Sequence, residues 1–199
     1  MTNSTDRTTL DKMPERKILR FLAELDQFGL SNQMFHVPPE DGNFLRFLVL
    51  STKAKRILEI GTAHGVSAIW MGLGLRKTDG TMVCIEIDSK KARLAKENIG
   101  KANLAHRIEV LNNDAFHVIP ELKGQFDLVF LDCWKNDYRR FFELFLPKVS
   151  AGGVIVAHNV LLMADQMDGY VKLVQNHPDL ITSVVAVSPE GFSISYKKR

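Results

Sequence analysis

The chain has 199 residues, 45% of them hydrophobic and 25% charged, which is typical of one globular domain. Its net charge of +3 is small and partly due to the run 197–199, so a solvated tail is favoured over a nucleic-acid surface. Cys84 and Cys133 give no disulfide framework. The polar residues 1–9 lack a signal-peptide core, and no apolar run approaches the ~20 residues of a membrane span. We expect one cytoplasmic domain over 1–199, with 1–9 flexible and neither membrane nor nucleic acid as partner.

Two helices are predicted before the first strand. Apolar residues recur at helical spacing over 14–30, with Pro14 suited to the first turn and Gly29 to a stop. After a loop at 37–39, a second helix runs to about Ser51. We expect these helices, residues 14–51, to cover the active site, although packing on one sheet face is an alternative.

Strands and helices then alternate. Such alternation is typical of a parallel sheet with helices on both faces. The predicted strands are 55–60, 81–87, 107–111, 126–132 and 153–157, and the predicted helices are 66–76, 89–102, 115–122 and 136–149.

The C-terminal segment breaks this alternation. After a helix near 161–176 come strands 183–187 and 192–196, joined by only four residues, 188–191. A link this short joins antiparallel strands, because a parallel crossover needs about a dozen residues. The pattern predicts an α/β, Rossmann-like class I methyltransferase fold, with a seven-stranded, mostly parallel sheet and an antiparallel C-terminal strand.

The run 57–67, ILEIGTAHGVS, predicts a strand, a glycine loop and a helix. Its G-x-x-x-G spacing differs from the G-x-G-x-x-G of dinucleotide sites, so a pyrophosphate cradle is not the first interpretation. Glu59, placed at the turn, would repel a phosphate and suit a cationic amino group. A nucleoside ligand with a positive end is indicated, which describes S-adenosylmethionine (SAM).

The next two strands end in further candidate ligand contacts. Glu86 ends the second strand, where a carboxylate can accept both hydroxyls of a ribose. Capping of the following helix is the alternative role of Glu86, although Asp88 is better placed for it. Asp114 follows the third strand and could contact an adenine amino group while capping its own helix.

The fourth and fifth strands end in groups that could perform acid–base or metal chemistry. Asp132 lies at the carboxyl end of a central strand, followed at three-residue intervals by Lys135 and Tyr138. His158 and Asn159 end the fifth strand. Because carboxyl ends of neighbouring parallel strands meet, Asp132, His158 and Asn159 could converge and suit a divalent metal.

The chain from about 37 to 198 resembles the catechol O-methyltransferase family, including its bacterial and caffeoyl-CoA-type members. The resemblance lies in ILEIGTAHGVSAIWM, IEID, FDLVFLDCWKNDY and GGVIVAHNVL. It implies a SAM-dependent O-methyltransferase that acts on a hydroxyl of a small phenolic acceptor, assisted by a divalent metal, typically magnesium. The family is often dimeric, so a homodimer is a further expectation.

The resemblance also implies residue roles. Lys135 would be the general base that takes the phenolic proton, and Asp132 and Asn159 would be metal ligands. Residues at the SAM site would be Glu59, Gly61, Thr62, Ala63, Gly65, Ser67, Glu86, Ile87, Asp114, Ala115, Asp132, Cys133 and Trp134.

One position departs from the family pattern, which usually has Asp-Asn where this chain has His158-Asn159. Losing that carboxylate disfavours magnesium, and an imidazole ligand suits a transition metal better. Alternatively the site is metal-free and His158 itself handles the proton. A SAM-binding member without catalysis and an RNA methyltransferase are the remaining alternatives, although the fourth strand lacks the Asn-Pro-Pro-Tyr-like motif of base methylation.

Overall fold

The structure is a computed structural model that describes residues 7–199. Residues 1–9 were predicted to be flexible, and positions 1–6 of that range lie outside the described residues. Arg7–Leu10 form a short 3-10 helix.

The described chain forms one sheet of seven strands, in the order β3-β2-β1-β4-β5-β7-β6. Strand β7 is antiparallel to both β5 and β6, and the other pairings are parallel. The predicted fold, including the reversed last strand, is confirmed. The strands are β1 (Arg56–Ile60), β2 (Thr81–Glu86), β3 (Ile108–Asn112), β4 (Phe126–Leu131), β5 (Val149–His158), β6 (Leu180–Val185) and β7 (Phe192–Lys197).

Helices cover both faces of this sheet. None of the helices in the described part of the chain is long and apolar enough to cross a membrane. The α-helices are α1 (Glu15–Ser31), α2 (Pro39–Thr52), α3 (Val66–Thr78), α4 (Ser89–Lys101), α5 (Ala115–Glu121), α6 (Tyr138–Phe145) and α7 (Ala164–Gln175).

Two hydrophobic cores lie on opposite faces of the sheet. Successive strand residues point to opposite faces, so Phe130 of β4 joins one core and Val129 the other. The first core packs beneath α1 to α4, and the second beneath α5 to α7. The N-terminal helices thus lie on one sheet face. Helix α2 also contacts the end of β5, because its Asp41 bonds to His158.

Strand β5 begins at Val149, four residues before its predicted start. The pairing register with β4 shifts between Phe126 and Leu128, and Gly152 adopts a φ of 83°. This irregularity explains why the glycine-rich start of β5 was not predicted as strand. The preceding helix is correspondingly shorter than predicted, because Pro147 falls in a separate 3-10 turn.

Candidate active site

The glycine loop follows β1 at the point where the strand order reverses, with β2 on one side and β4 on the other. Open α/β sheets bind ligands at such a point. Gly61 and Gly65 have φ values of 89° and 91°, which favour glycine. A Cβ at Gly61 would collide with the carbonyl oxygen of Asp132, so this glycine lets the loop approach the end of β4.

Glu59 lies within β1 rather than in the turn, which corrects the predicted placement. Its side chain is fully buried, and Oε1 accepts a 2.6 Å hydrogen bond from the Ser67 hydroxyl. Oε2 has no hydrogen-bond partner among the described residues. Burial raises the pKa of Glu59 to about 7. An unsatisfied buried carboxyl of this kind fits a cationic ligand group, such as the amino group of SAM.

Glu86 does not cap the following helix, because Asp88 fills that role by accepting the N–H groups of Lys90 and Lys91. Instead Glu86 Oε2 accepts the backbone N–H groups of Thr62 and Ala63, at 3.2 and 2.8 Å. The carboxylate therefore lies directly against the glycine loop. In the predicted ribose contact, the ribose hydroxyls would donate to the lone pairs of the Glu86 carboxylate that these N–H groups leave free.

Further residues predicted at the SAM site follow β2, β3 and β4 at the carboxyl end of the sheet. Asp114 caps α5 by accepting the Phe116 N–H at 2.8 Å, as expected. Ile87 is 70% exposed and Trp134 is 73% exposed, whereas Ala115 is buried. Ile87 and Trp134 are large apolar side chains that do not pack into a core. They are therefore available to contact a flat aromatic group.

Lys135 is almost completely buried beside the end of β4. Its ammonium group lies 2.8 Å from Asp132 Oδ1 and 2.9 Å from the Tyr138 hydroxyl. Tyr138 in turn donates to the Leu131 carbonyl at 3.0 Å. The predicted D-x-x-K-x-x-Y spacing therefore forms one cluster, in which Asp132 and Tyr138 fix the position of the Lys135 amine.

His158 is buried and lies among carboxylates contributed by other elements. Its Nδ1 lies 3.3 Å from Asp132 Oδ2, and its Nε2 lies 2.8 Å from Asp41 Oδ2 and 3.0 Å from Glu190 Oε2. Burial alone would lower the pKa of His158, but the hydrogen bonds to Asp132 and Asp41 raise it to about 9. Burial opposes ionisation of Asp132 as well, but hydrogen bonding and charge from His158 and Lys135 hold its pKa well below the usual range.

Three residues of this cluster were missed by the sequence analysis. Asp41, in the first turn of α2, accepts hydrogen bonds from His158 and from the Ser188 hydroxyl, the latter at 2.6 Å. Glu190 accepts from the Asn159 side chain at 3.0 Å. Ser188 and Glu190 belong to the four-residue link 188–191, which the sequence indicated only as a turn, and Asp41 follows the predicted loop at 37–39. Ser188 and Glu190 lie more than 140 residues from Asp41 in the chain, so no local spacing indicates that these residues meet.

The side chains present do not fit a metal held by the predicted ligands Asp132, His158 and Asn159. A metal binds neutral imidazole through a free ring nitrogen, whereas both nitrogens of His158 face carboxylate oxygens. Both oxygens of Asp132 are also engaged, Oδ1 by Lys135 and Oδ2 by His158. Asn159 donates from its amide nitrogen to Glu190 and keeps its amide oxygen as a possible ligand atom. A different triad, Asp41, His158 and Glu190, brings one possible ligand atom each within 4.8 Å.

The apolar residues around the ends of β4 and β5 are of two kinds, core and exposed. Met167 and Tyr170 are buried in the second core and are not available to an acceptor. Among the exposed apolar residues, Trp134 directly precedes Lys135, and Leu161 and Leu162 hydrogen-bond through their backbone N–H groups to the Glu190 carbonyl. Phe35 is 94% exposed.

The reversed last strand, the loop at the switch point and the acidic end of β2 together define a class I methyltransferase. A sequence model of the O-methyltransferase family matches residues 10–177. The chain therefore belongs to the O-methyltransferase family.

Two relatives are catechol O-methyltransferases. That of Niastella koreensis is 37% identical over 129 residues, which cover 63% of this chain and 58% of that protein. That of Mycobacterium tuberculosis is 32% identical over 183 residues, which cover 85% of this chain and 80% of that protein. The chain thus spans less than two thirds of the Niastella protein.

Solved structures agree with the fold. The Bacillus cereus O-methyltransferase in complex with SAH gives a TM-score of 0.81 at 28% identity, covering 90% of this chain and 91% of that one. The O-methyltransferase TomG from Streptomyces achromogenes, involved in tomaymycin synthesis and solved with SAM, gives 0.82 at 26% identity, covering 97% and 94%.

Proposed function

We propose that this chain transfers the methyl group of SAM to a hydroxyl of a small phenolic acceptor. The observation that carries the proposal is the position of Lys135, a buried amine held by Asp132 and Tyr138 where β4 meets the glycine loop. A binding module has no need of a buried, oriented amine at this place. The catechol O-methyltransferases among its relatives support the same class of acceptor.

The residues that would hold SAM are those of the loop and its surroundings. Glu59 offers an unsatisfied buried oxygen to a cationic amino group, and Glu86 offers its carboxylate to the ribose. Ile87 and Trp134 are exposed apolar surfaces for the adenine. When bound, SAM supplies an electrophilic methyl group on a sulfonium, and in-line alignment with the acceptor oxygen gives much of the rate.

Lys135 would take the proton of the acceptor hydroxyl. A free phenol has a pKa of about 10, so it needs a base or a nearby positive charge to react as phenolate near neutral pH. Asp132 Oδ1 holds the Lys135 nitrogen at 2.8 Å, and His158 contacts the other oxygen of the same carboxylate, so the position of the proposed base is fixed.

The acceptor would lie against Trp134, Leu161 and Leu162. These exposed apolar side chains belong to residues that adjoin Lys135 or hydrogen-bond to Glu190, and a planar phenol would cover them. Their burial by the ring would exclude water from the reacting oxygen.

A panel of acceptors tests the proposal. Labelled methyl transfer from SAM is measured with a catechol, a monophenol, an aliphatic alcohol and a short RNA, and the labelled product is identified by mass. We expect methyl ethers of the phenols alone. Label on the RNA, with binding that weakens steeply as salt is raised, would favour the RNA alternative. SAH binding without transfer to any acceptor would leave a SAM-binding member without catalysis.

A further inference from the structure

His158 contacts carboxylates through both ring nitrogens. Nδ1 faces Asp132, and Nε2 faces both Asp41 and Glu190. Carboxylates only accept hydrogen bonds when ionised, so both ring nitrogens must carry hydrogen for these contacts to be favourable. A neutral imidazole has one N–H and could satisfy only one side. The geometry therefore describes a ring with both nitrogens protonated, bearing a positive charge.

This charged ring is held from several elements of the fold. Asp41 comes from α2, Asp132 from the end of β4, and Glu190 from the link between β6 and β7. Ser188 donates to the same Asp41 oxygen that faces His158, and its hydroxyl also accepts the Glu190 N–H at 3.1 Å. A ring buried to 99% and bonded on both edges has little freedom to turn.

Charge balance explains why His158 and Asp41 can be buried, with Asp132 and Glu190 partly exposed beside them. Three carboxylates, Asp41, Asp132 and Glu190, meet within the described site, and only His158 contacts all three. Lys135 neutralises Asp132 from its other oxygen. Without a positive charge at position 158, Asp41 and Glu190 would be left without a cationic partner, which is costly for the fully buried Asp41.

We propose that the His158 side chain, clamped by Asp41, Glu190 and Asp132, is a built-in cation that stands in place of the divalent metal, and that methyl transfer by this chain needs no metal. The proposal rests on the proposed function, whose site it deepens. Asp41 and Glu190 are then positioning residues: they act through His158, which in turn holds Asp132 opposite Lys135.

Metal binding is measured first, because it does not depend on turnover. The full-length chain is loaded with SAH, and Mn²⁺ is titrated with detection by electron paramagnetic resonance. The wild-type chain should show no saturable site. His158→Asp, which replaces the cation with an oxygen ligand, should bind Mn²⁺ at least roughly tenfold more tightly. His117→Ala, at an exposed histidine, is the control and should behave as wild type.

Two results would overturn the proposal. One is a saturable site in the wild-type chain that both His158→Ala and Asp41→Asn abolish, since His158 would then be a ligand within the Asp41, His158 and Glu190 triad. The other is a His158→Asp variant that gains no Mn²⁺ site. If the added carboxylate prevents folding, the double variant Asp41→Asn/His158→Asp removes one negative charge and serves the same purpose.

The positioning role of Asp41 has its own measurement. Asp41→Asn should lower kcat roughly tenfold to a hundredfold while leaving SAH affinity unchanged, and Asp41→Glu should restore part of kcat. Equal losses in both variants together with weakened SAH binding would show a merely structural role and contradict the proposal. Turnover indifferent to EDTA supports it. An enzyme that binds SAH but methylates no phenol would refute the proposed function and leave the metal-binding result standing.

Discussion

At the scale of single residues, the protonation of the Glu59 carboxyl should depend on whether the cofactor is bound. The carboxyl is buried with one oxygen unsatisfied, and burial raises its pKa from 4.5 to about 7. The folded chain therefore binds a proton here that the unfolded chain releases above pH 4.5. This contribution to stability is fully present below pH 4.5 and is lost as the pH rises through 7. A cation bound beside Glu59 would offset that loss.

Replacing Glu59 by Gln should remove this pH dependence. The amide keeps an acceptor for Ser67 but cannot ionise, so the loss of stability between pH 4.5 and 7, on the order of 3 kcal/mol in the wild-type chain, should shrink. Thermal unfolding across this pH range measures it, with Glu121→Gln at an exposed site as control. SAH affinity should also fall in Glu59→Gln. An unaltered pH profile and unaltered affinity would show that Glu59 does not face the cofactor.

The Lys135 amine is the residue on which turnover should depend most. Lys135→Met keeps the length of the side chain but removes the proton acceptor, so kcat should fall by roughly 10²–10⁴-fold. Lys123→Met, at an exposed lysine, is the matched control. SAH titration should give the same affinity for both variants, because Lys135 is assigned to the acceptor. Full activity in Lys135→Met would show that Lys135 is not the general base.

At the scale of elements, α4 braces the glycine loop. Its Asn98 side chain is buried and donates to the His64 carbonyl at 2.9 Å, and Gly65 packs closely on Ala95. Both loop contacts come from one face of the helix. The cofactor loop is therefore positioned by a helix that contributes no side chain to the predicted site.

Asn98→Ala should loosen this loop. It leaves a buried carbonyl without its donor, which costs about 1–3 kcal/mol. Denaturant unfolding should show that loss, and SAH affinity should fall more than kcat. The neighbouring exposed Glu97→Ala is the control and should change neither. Destabilisation without any change in SAH affinity would mean that the loop keeps its shape unaided.

The elements also show where sequence reasoning was limited. Gly29 looked like a helix stop, yet α1 continues to Ser31. A Cβ at Gly29 would collide with the His36 ring, so this glycine allows close packing within the helix and does not end it. The three-residue spacing of Asp132, Lys135 and Tyr138 was visible in the sequence, and the structure brings these three side chains together through Lys135. Asp41 and Glu190 could not be predicted, because their meeting with His158 depends on how distant elements pack.

At the scale of the whole molecule, the strand alternation and the short final link were sufficient to predict the sheet and its reversed strand. Neither the homodimer nor the cytoplasmic location is tested by the structure, and both stay predictions. The fold does predict a global response to cofactor. A ligand that binds only the folded chain stabilises it by mass action.

SAH at about a hundred times its Kd should add about 2.7 kcal/mol to the free energy of unfolding. For a chain of this size that raises the Tm by roughly 5–10 °C. Differential scanning calorimetry measures the shift, and NAD at equal concentration is the control, since the loop lacks the dinucleotide spacing. An equal shift with NAD would contradict the assignment of the loop.

The most direct single measurement is transfer of a deuterated methyl group from labelled SAM to 3,4-dihydroxybenzoate in the presence of EDTA, followed by mass spectrometry of the product. We expect a singly methylated ether, formed at the same rate without EDTA and strongly reduced in Lys135→Met. No labelled ether from this or any other phenol, in a chain that binds SAH, would contradict the proposed activity.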